Sequence, residues 1–138
     1  MLTESEIQAM VTAAEAVREH AYVPYSGFAV GAALRAEDGT LFAGCNVENA
    51  SYGLTICAER NAVFQAVAAG ARTFDAVAVV TGNGVSPCGA CRQVLAEFGP
   101  QMTVILANTS GVRRIFTLDQ LLPAAFLPSQ LPDSPCKS

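Results

Sequence analysis

The sequence predicts an α/β domain, a three-layer α-β-α sandwich with a mixed five-stranded sheet. Two observations carry that expectation. Runs with strand character and runs with helical character follow one another in the order helix, strand, strand, helix, strand, helix, strand, strand, helix. Strands that alternate with helices imply crossovers between parallel neighbours, and an opening hairpin adds an antiparallel edge.

The first helix begins at Thr3-Glu4-Ser5-Glu6, which has capping-box spacing, and Ile7, Met10, Val11, Ala14 and Val17 follow at helical intervals toward His20. His20 is the one histidine and sits where a cation favours the helix dipole, so it reads as a cap. Pro24-Tyr25-Ser26-Gly27 breaks the helix. Residues 28–34 and 41–47 then read as two strands joined by Glu37-Asp38-Gly39-Thr40, whose Asp-Gly step suits a tight turn. A polar connection leads to a helix over 57–69 that stops at Gly70. Residues 74–80 form an apolar run of buried-strand length, and a Gly- and Pro-containing loop follows to Pro87. The next helix starts near Cys88 and ends at Gly99. Residues 102–107 and 112–117 read as further strands around an Asn108-Thr109-Ser110-Gly111 turn, and Thr117-Leu118-Asp119-Gln120 opens a last short helix. Residues 1–127 form a single domain in this reading. Residues 128–138, with frequent proline and no periodicity, read as a flexible tail.

Composition narrows the function. With 51% hydrophobic and only 14% charged residues, the chain has more apolar surface than one small domain readily hides, which points to burial between subunits. A net charge of −4 with dispersed bases opposes binding to a polynucleotide backbone. Apolar stretches are broken well short of a membrane span, and the acidic start is unlike a secretory leader, so a cytoplasmic protein without a membrane partner is expected. Five cysteines cannot all pair within the chain, and in such a setting thiols point to metal or catalysis more than to a disulfide framework.

Cys57-Ala58-Glu59 opens one helix and Pro87-Cys88-Gly89-Ala90-Cys91 opens the next, so three thiols can converge where two helices begin. The exposed N–H groups and dipole of a helix start favour thiolate, and hence metal. Structural zinc sites close all four positions with protein, whereas catalytic sites keep one for water, and no fourth Cys or His lies near these three. Glu59 is placed to reach a metal-bound water, although spacing alone equally allows an acid that complements the helix dipole. Taken singly, Phe28 reads as core, Asn46 and Glu48 as a solvated strand edge, Arg60 as a surface helix residue and Cys45 as core. Cys136 has no nameable partner.

Cys57-Ala58-Glu59-Arg60 with Pro87-Cys88-Gly89-Ala90-Cys91-Arg92-Gln93 resembles the small, homotetrameric zinc-dependent cytidine deaminases. The likeness extends through Val23-Pro24-Tyr25-Ser26, Phe28-Ala29-Val30-Gly31-Ala32-Ala33, Asn46-Val47-Glu48-Asn49-Ala50-Ser51-Tyr52-Gly53, and Leu121-Leu122-Pro123 with Phe126. It implies one Zn²⁺ per subunit held by Cys57, Cys88 and Cys91, activating a water that attacks C4 of cytosine while Glu59 carries the protons. It further implies that Arg60 offsets thiolate charge, that Phe28 is a platform for the pyrimidine, and that the Ala58 N–H meets the base carbonyl. Asn46 and Glu48 would bind the sugar hydroxyl of a free pyrimidine nucleoside, and Tyr52 and Phe126 would reach into neighbouring subunits' sites in a homotetramer. The expected reaction is deamination of cytidine and 2'-deoxycytidine to uridine and 2'-deoxyuridine with release of ammonia, in pyrimidine salvage. Two alternatives remain open: a blasticidin S-type aminopyrimidine deaminase with the same chemistry, and a zinc-binding module without turnover.

Overall fold

The computed structural model describes residues 1–132; Cys136 lies outside them. The elements are α1 (Glu4–Arg18), β1 (Gly31–Ala36), β2 (Leu41–Cys45), α2 (Ala58–Ala68), β3 (Phe74–Thr81), α3 (Gly89–Phe98), β4 (Thr103–Asn108), β5 (Arg113–Thr117) and α4 (Leu118–Leu121), with 3-10 turns at Tyr52–Leu54 and Pro128–Gln130. Strand order is β2-β1-β3-β4-β5. The pairs β1/β2, β1/β3 and β4/β5 are antiparallel, and β3/β4 is parallel. Because β1 opposes both its neighbours, β2 and β3 run the same way, and β2-α2-β3 is a crossover that passes over β1. The mixed five-stranded sheet is therefore the one expected.

Each face of the sheet has its own core. On one side α1 lays Ile7, Met10, Val11 and Ala14 on Ala33, Ala76, Ala78, Val80, Ile105 and Ala107. On the other, α2 and α3 cover Ala32, Leu34, Val77, Val79, Val104 and Leu106 with Ala58, Ala62, Val63, Ala66, Leu95 and Ala96. Strand β3 lies in the middle and is buried nearly end to end, which is why residues 76–80 are a continuous apolar run without alternation. Small residues let α2 sit close to the sheet: Gly44 of β2 faces the backbone of Ala58 and Ala62. Asn61 Nδ2 donates to the Cys45 carbonyl at 2.8 Å and Gln65 Nε2 to the Ala43 carbonyl at 2.7 Å, so α2 is stitched to β2 on both sides of that glycine.

The structure departs from the sequence expectation at the hairpin ends. Pairing begins at Gly31 and stops at Cys45. Beyond that point the Asn46 side chain shares the pairing: its Oδ1 accepts the Val30 N–H at 2.9 Å and its Nδ2 donates to the Phe28 carbonyl at 2.8 Å, beside a longer backbone bond of 3.3 Å from the Asn46 N–H to the Val30 carbonyl. Val47 then bridges Tyr22 and Ile56 instead of β1. Cys45, read as core, is half-buried and borders a surface groove with Val17, Val47 and Phe64. The cap at the end of α1 is Glu19, with His20 in the following turn. At the other end of the chain, Leu127 packs against the α2/α3 core before the Pro128–Gln130 turn.

Candidate active site

Both crossovers deliver a helix N-terminus to the same face of the sheet. Cys57 is the N-cap of α2 and Cys88 the N-cap of α3. Their Sγ atoms are 3.9 Å apart, and Cys88 and Cys91 Sγ are 3.4 Å apart, with all three sulfurs within 4.8 Å of one another. A tetrahedral zinc with bonds of about 2.3 Å separates its sulfur ligands by about 3.8 Å, so the three thiols fit that ion. Cys88 Sγ also accepts the Cys91 N–H at 3.5 Å, closing the first turn of α3. Cys57 is the acidic member of the cluster: hydrogen bonding from Cys91, with help from the Arg60 guanidinium, lowers its pKa to about 5. Buried Cys91 keeps its proton as the donor to that sulfur, which pushes its own pKa up. Arg60 Nη2 donates to Cys57 Sγ at 3.4 Å, one helical turn along the same face. Cys57 is thus the thiol that favours thiolate, the form that ligates zinc.

Glu59 is only 4% exposed, an uncommon position for an acid without a salt bridge. Burial is the main cause of its raised pKa, with the charge of Cys57 acting in the same direction. It opens into a cavity of about 270 Å³ whose walls include Phe28, Asn46, Cys57, Thr81, Ser86 and Cys88. Residues of α2, of the loop before α3 and of the segment before β1 thereby share one cleft. Ala58 is fully buried at the first position of α2, where its N–H has no acceptor within the helix.

The family described as the cytidine and deoxycytidylate deaminase zinc-binding region matches residues 4–107. The chain belongs to that deaminase family. It is 53% identical over 124 residues to the cytidine deaminase of Sporosarcina psychrophila, covering 88% of this chain and 91% of the relative. The cytidine deaminase of Halalkalibacterium halodurans is 51% identical over 129 residues, covering 91% of this chain and 98% of its own. Among solved structures, the cytidine deaminase from Burkholderia pseudomallei superposes with a TM-score of 0.85 at 53% identity, covering 91% of this chain and all of that one, 100%. The zinc of this deaminase family and the three-thiol cluster agree in kind, and the cluster has room for one ion.

Not every residue singled out in the sequence meets in the cleft. Glu48 lines a separate cavity of about 310 Å³ with Tyr25, Ser26, Tyr52 and Thr55. Its Oε1 accepts the N–H groups of Tyr25 at 3.0 Å and Ser26 at 3.1 Å, and its Oε2 accepts the Ser26 hydroxyl. Those bonds hold its carboxyl below the usual range, with the Ser26 hydroxyl first in effect. Tyr52 is 74% exposed and stacks edge-on against Tyr25, with ring centroids 5.6 Å apart. Phe126 is 59% exposed, and its carbonyl accepts from Gln93 Nε2 at 2.8 Å. The sequence reading missed Thr81, Val85, Ser86 and Pro87 as cavity walls. A threonine directly after the apolar run 76–80 was the available signal.

Proposed function

We propose that this chain deaminates cytidine and 2'-deoxycytidine hydrolytically, giving uridine and 2'-deoxyuridine with release of ammonia. The observation that carries the reading is a buried Glu59 that shares one cavity with Phe28 and with Cys57 and Cys88, two of three converging thiols whose third, Cys91, is buried behind them. Cys57, Cys88 and Cys91 would hold one zinc ion per subunit, which would supply the Lewis acid that makes water a nucleophile at neutral pH. Glu59 takes a proton from the attacking water and delivers it to N3 of the base, then takes the second proton from the hydroxyl added at C4 and hands it to the amine, which departs as ammonia. Arg60 balances the thiolate charge at Cys57.

Phe28 offers its ring to the pyrimidine, and the Ala58 N–H is placed for the base carbonyl. Asn46 has spent one donor and one acceptor on the segment before β1, which leaves one of each for a sugar hydroxyl. Glu48 completes the sugar contact, and its charge disfavours a nucleotide phosphate. Exposed Tyr52 and Phe126 are available to enter neighbouring copies' sites in a homotetramer, which would also cover the exposed apolar surface at Phe64, Val112 and Ile115. No helix among the described residues is long and apolar enough to cross a membrane. We place the enzyme in the cytoplasm, in pyrimidine salvage.

Absorbance loss on incubating the zinc-loaded protein with cytidine, deoxycytidine and blasticidin S tests the reading directly. Turnover of both nucleosides is expected. Turnover of blasticidin S alone would move the substrate class, and no turnover of any cytosine nucleoside would leave a zinc-binding module. Glu59→Gln should keep its zinc and lose about 10²- to 10⁴-fold in kcat.

A further inference from the structure

The loop between β3 and α3 carries three consecutive cavity-wall residues, Val85, Ser86 and Pro87, and leads directly into Cys88. Its middle is held by two side chains from different strands. Thr81, the last residue of β3, is 2% exposed, and its Oγ accepts the Gly84 N–H at 2.7 Å while lying 3.3 Å from Asn83 Oδ1. Arg114, from the edge strand β5, donates from Nη2 to the Gly84 carbonyl at 2.9 Å, with its guanidinium 5.6 Å from the centroid of the Phe116 ring. The two peptide groups flanking the Gly84 Cα are therefore each tied to a strand of the sheet. Gly84 itself has φ +69°, a left-handed conformation natural to glycine, so the turn suits the clamp without side-chain strain.

We infer that Thr81 and Arg114 are positioning residues that set substrate affinity by clamping Gly84 and so fixing the Val85–Ser86–Pro87 wall against the pyrimidine. The inference rests on the deaminase reading for the identity of the substrate. Thr81 matters more than Arg114, because the bond it makes is buried whereas Arg114 is an exposed residue whose bond is only part-buried. Glu59 belongs to α2, a different element, and Cys88, which follows Pro87, is anchored separately as the N-cap of α3 with its Sγ accepting the Cys91 N–H, so loosening the wall acts first on binding.

Thr81→Val keeps the shape of the side chain and removes the acceptor. Its KM for cytidine should rise roughly ten-fold, with a smaller fall in kcat, because the buried Gly84 N–H loses its partner. Amide hydrogen exchange over residues 82–87 should quicken, with zinc content unchanged. Thr81→Ser should return both KM and exchange toward wild type, and Arg114→Ala should raise KM by about two- to three-fold, as expected for a hydrogen bond that is only part-buried. An unchanged KM in Thr81→Val despite faster exchange would overturn the clamp, as would a Thr81→Ser variant no better than Thr81→Val. If Thr81→Val does not fold, Arg114→Ala decides: unchanged KM and unchanged exchange overturn the proposal. Wild-type protein without cytidine turnover would instead fail the deaminase reading, and the exchange comparison would still report on the clamp.

Discussion

Replacing Gly44 by alanine should damage the zinc site from the far side of α2. A Cβ at Gly44 would stand 2.5 Å from the Ala62 nitrogen, 2.7 Å from the Ala58 oxygen and 3.0 Å from the Asn61 carbonyl carbon. All three are helix backbone atoms, so no rotamer change relieves the contact. Restoring ordinary van der Waals separation requires α2 to lift by about 1 Å. Overpacking of this kind costs about 1–3 kcal/mol, and weakening the two bonds from Asn61 and Gln65 to β2 adds roughly 1–2 kcal/mol. For a domain of this size the loss corresponds to a fall in Tm of roughly 10 °C. The catalytic consequence should be larger still. Cys57 and Glu59 ride on α2, while Cys88 and Cys91 ride on α3. A displacement of about 1 Å far exceeds the tolerance of about 0.2 Å in zinc–sulfur distances, and misplacement on that scale costs about 100-fold in rate. Thermal unfolding, zinc stoichiometry and cytidine turnover measured together should all fall. Gly53→Ala, where an added Cβ meets nothing within 4 Å, provides the comparison and should change stability little. A Gly44→Ala protein with wild-type Tm and full zinc would refute the claim that this close approach sets the height of α2.

Other expectations follow from single contacts. Arg60→Ala removes the guanidinium that donates to Cys57 Sγ, and should keep the fold while lowering zinc retention or turnover about 10- to 100-fold, read by metal analysis after dialysis and by cytidine kinetics. Stripping the metal with a chelator should lower Tm, and adding zinc back should restore it in proportion to binding free energy, as for any ligand that binds the folded state only. Thr3→Ala removes the hydroxyl that accepts the Glu6 N–H and should cost about 1 kcal/mol in chemical denaturation without altering KM. The Thr3 backbone N–H, then its side chain, hold the Glu6 carboxyl below its ordinary pKa. The resulting stabilisation is present above that ordinary value and is lost as pH falls through the lower folded value. Thr3→Ala should therefore show a weaker acid-side fall in stability than wild type.

The chemistry was more legible than the geometry around it. Cysteines at helix starts have a local cause: an N-cap has extended backbone and projects its side chain over the first turn, so Cys57, Cys88 and Cys91 could be read from the chain order alone. Phe28 and Asn46 are different. Each is an ordinary strand-end residue until the fold brings the segment before β1 beside the start of α2, a meeting of residues distant in sequence. Local pattern carries no trace of it, and only the likeness to a family pointed there. Asn46 also shares the pairing beyond the end of the β1/β2 ladder by bonding across to Val30 and Phe28, a competition between side chain and backbone that propensity does not foresee.

The sequence by itself determined the element order, the mixed sheet and the three thiols with their adjacent acid, because helix caps, periodicity and glycine stops act over a few residues. Tertiary structure decided which of those groups share a cavity. The burial of Glu59, which raises its pKa, comes from α2 lying flat on a sheet whose Gly44 admits it. The placing of the cavity wall comes from Thr81 and Arg114, which are 33 positions apart in the chain and meet at Gly84 only because β3, β4 and β5 lie side by side. Burial and convergence of that kind are set by what packs against a residue, and short-range sequence pattern cannot encode them.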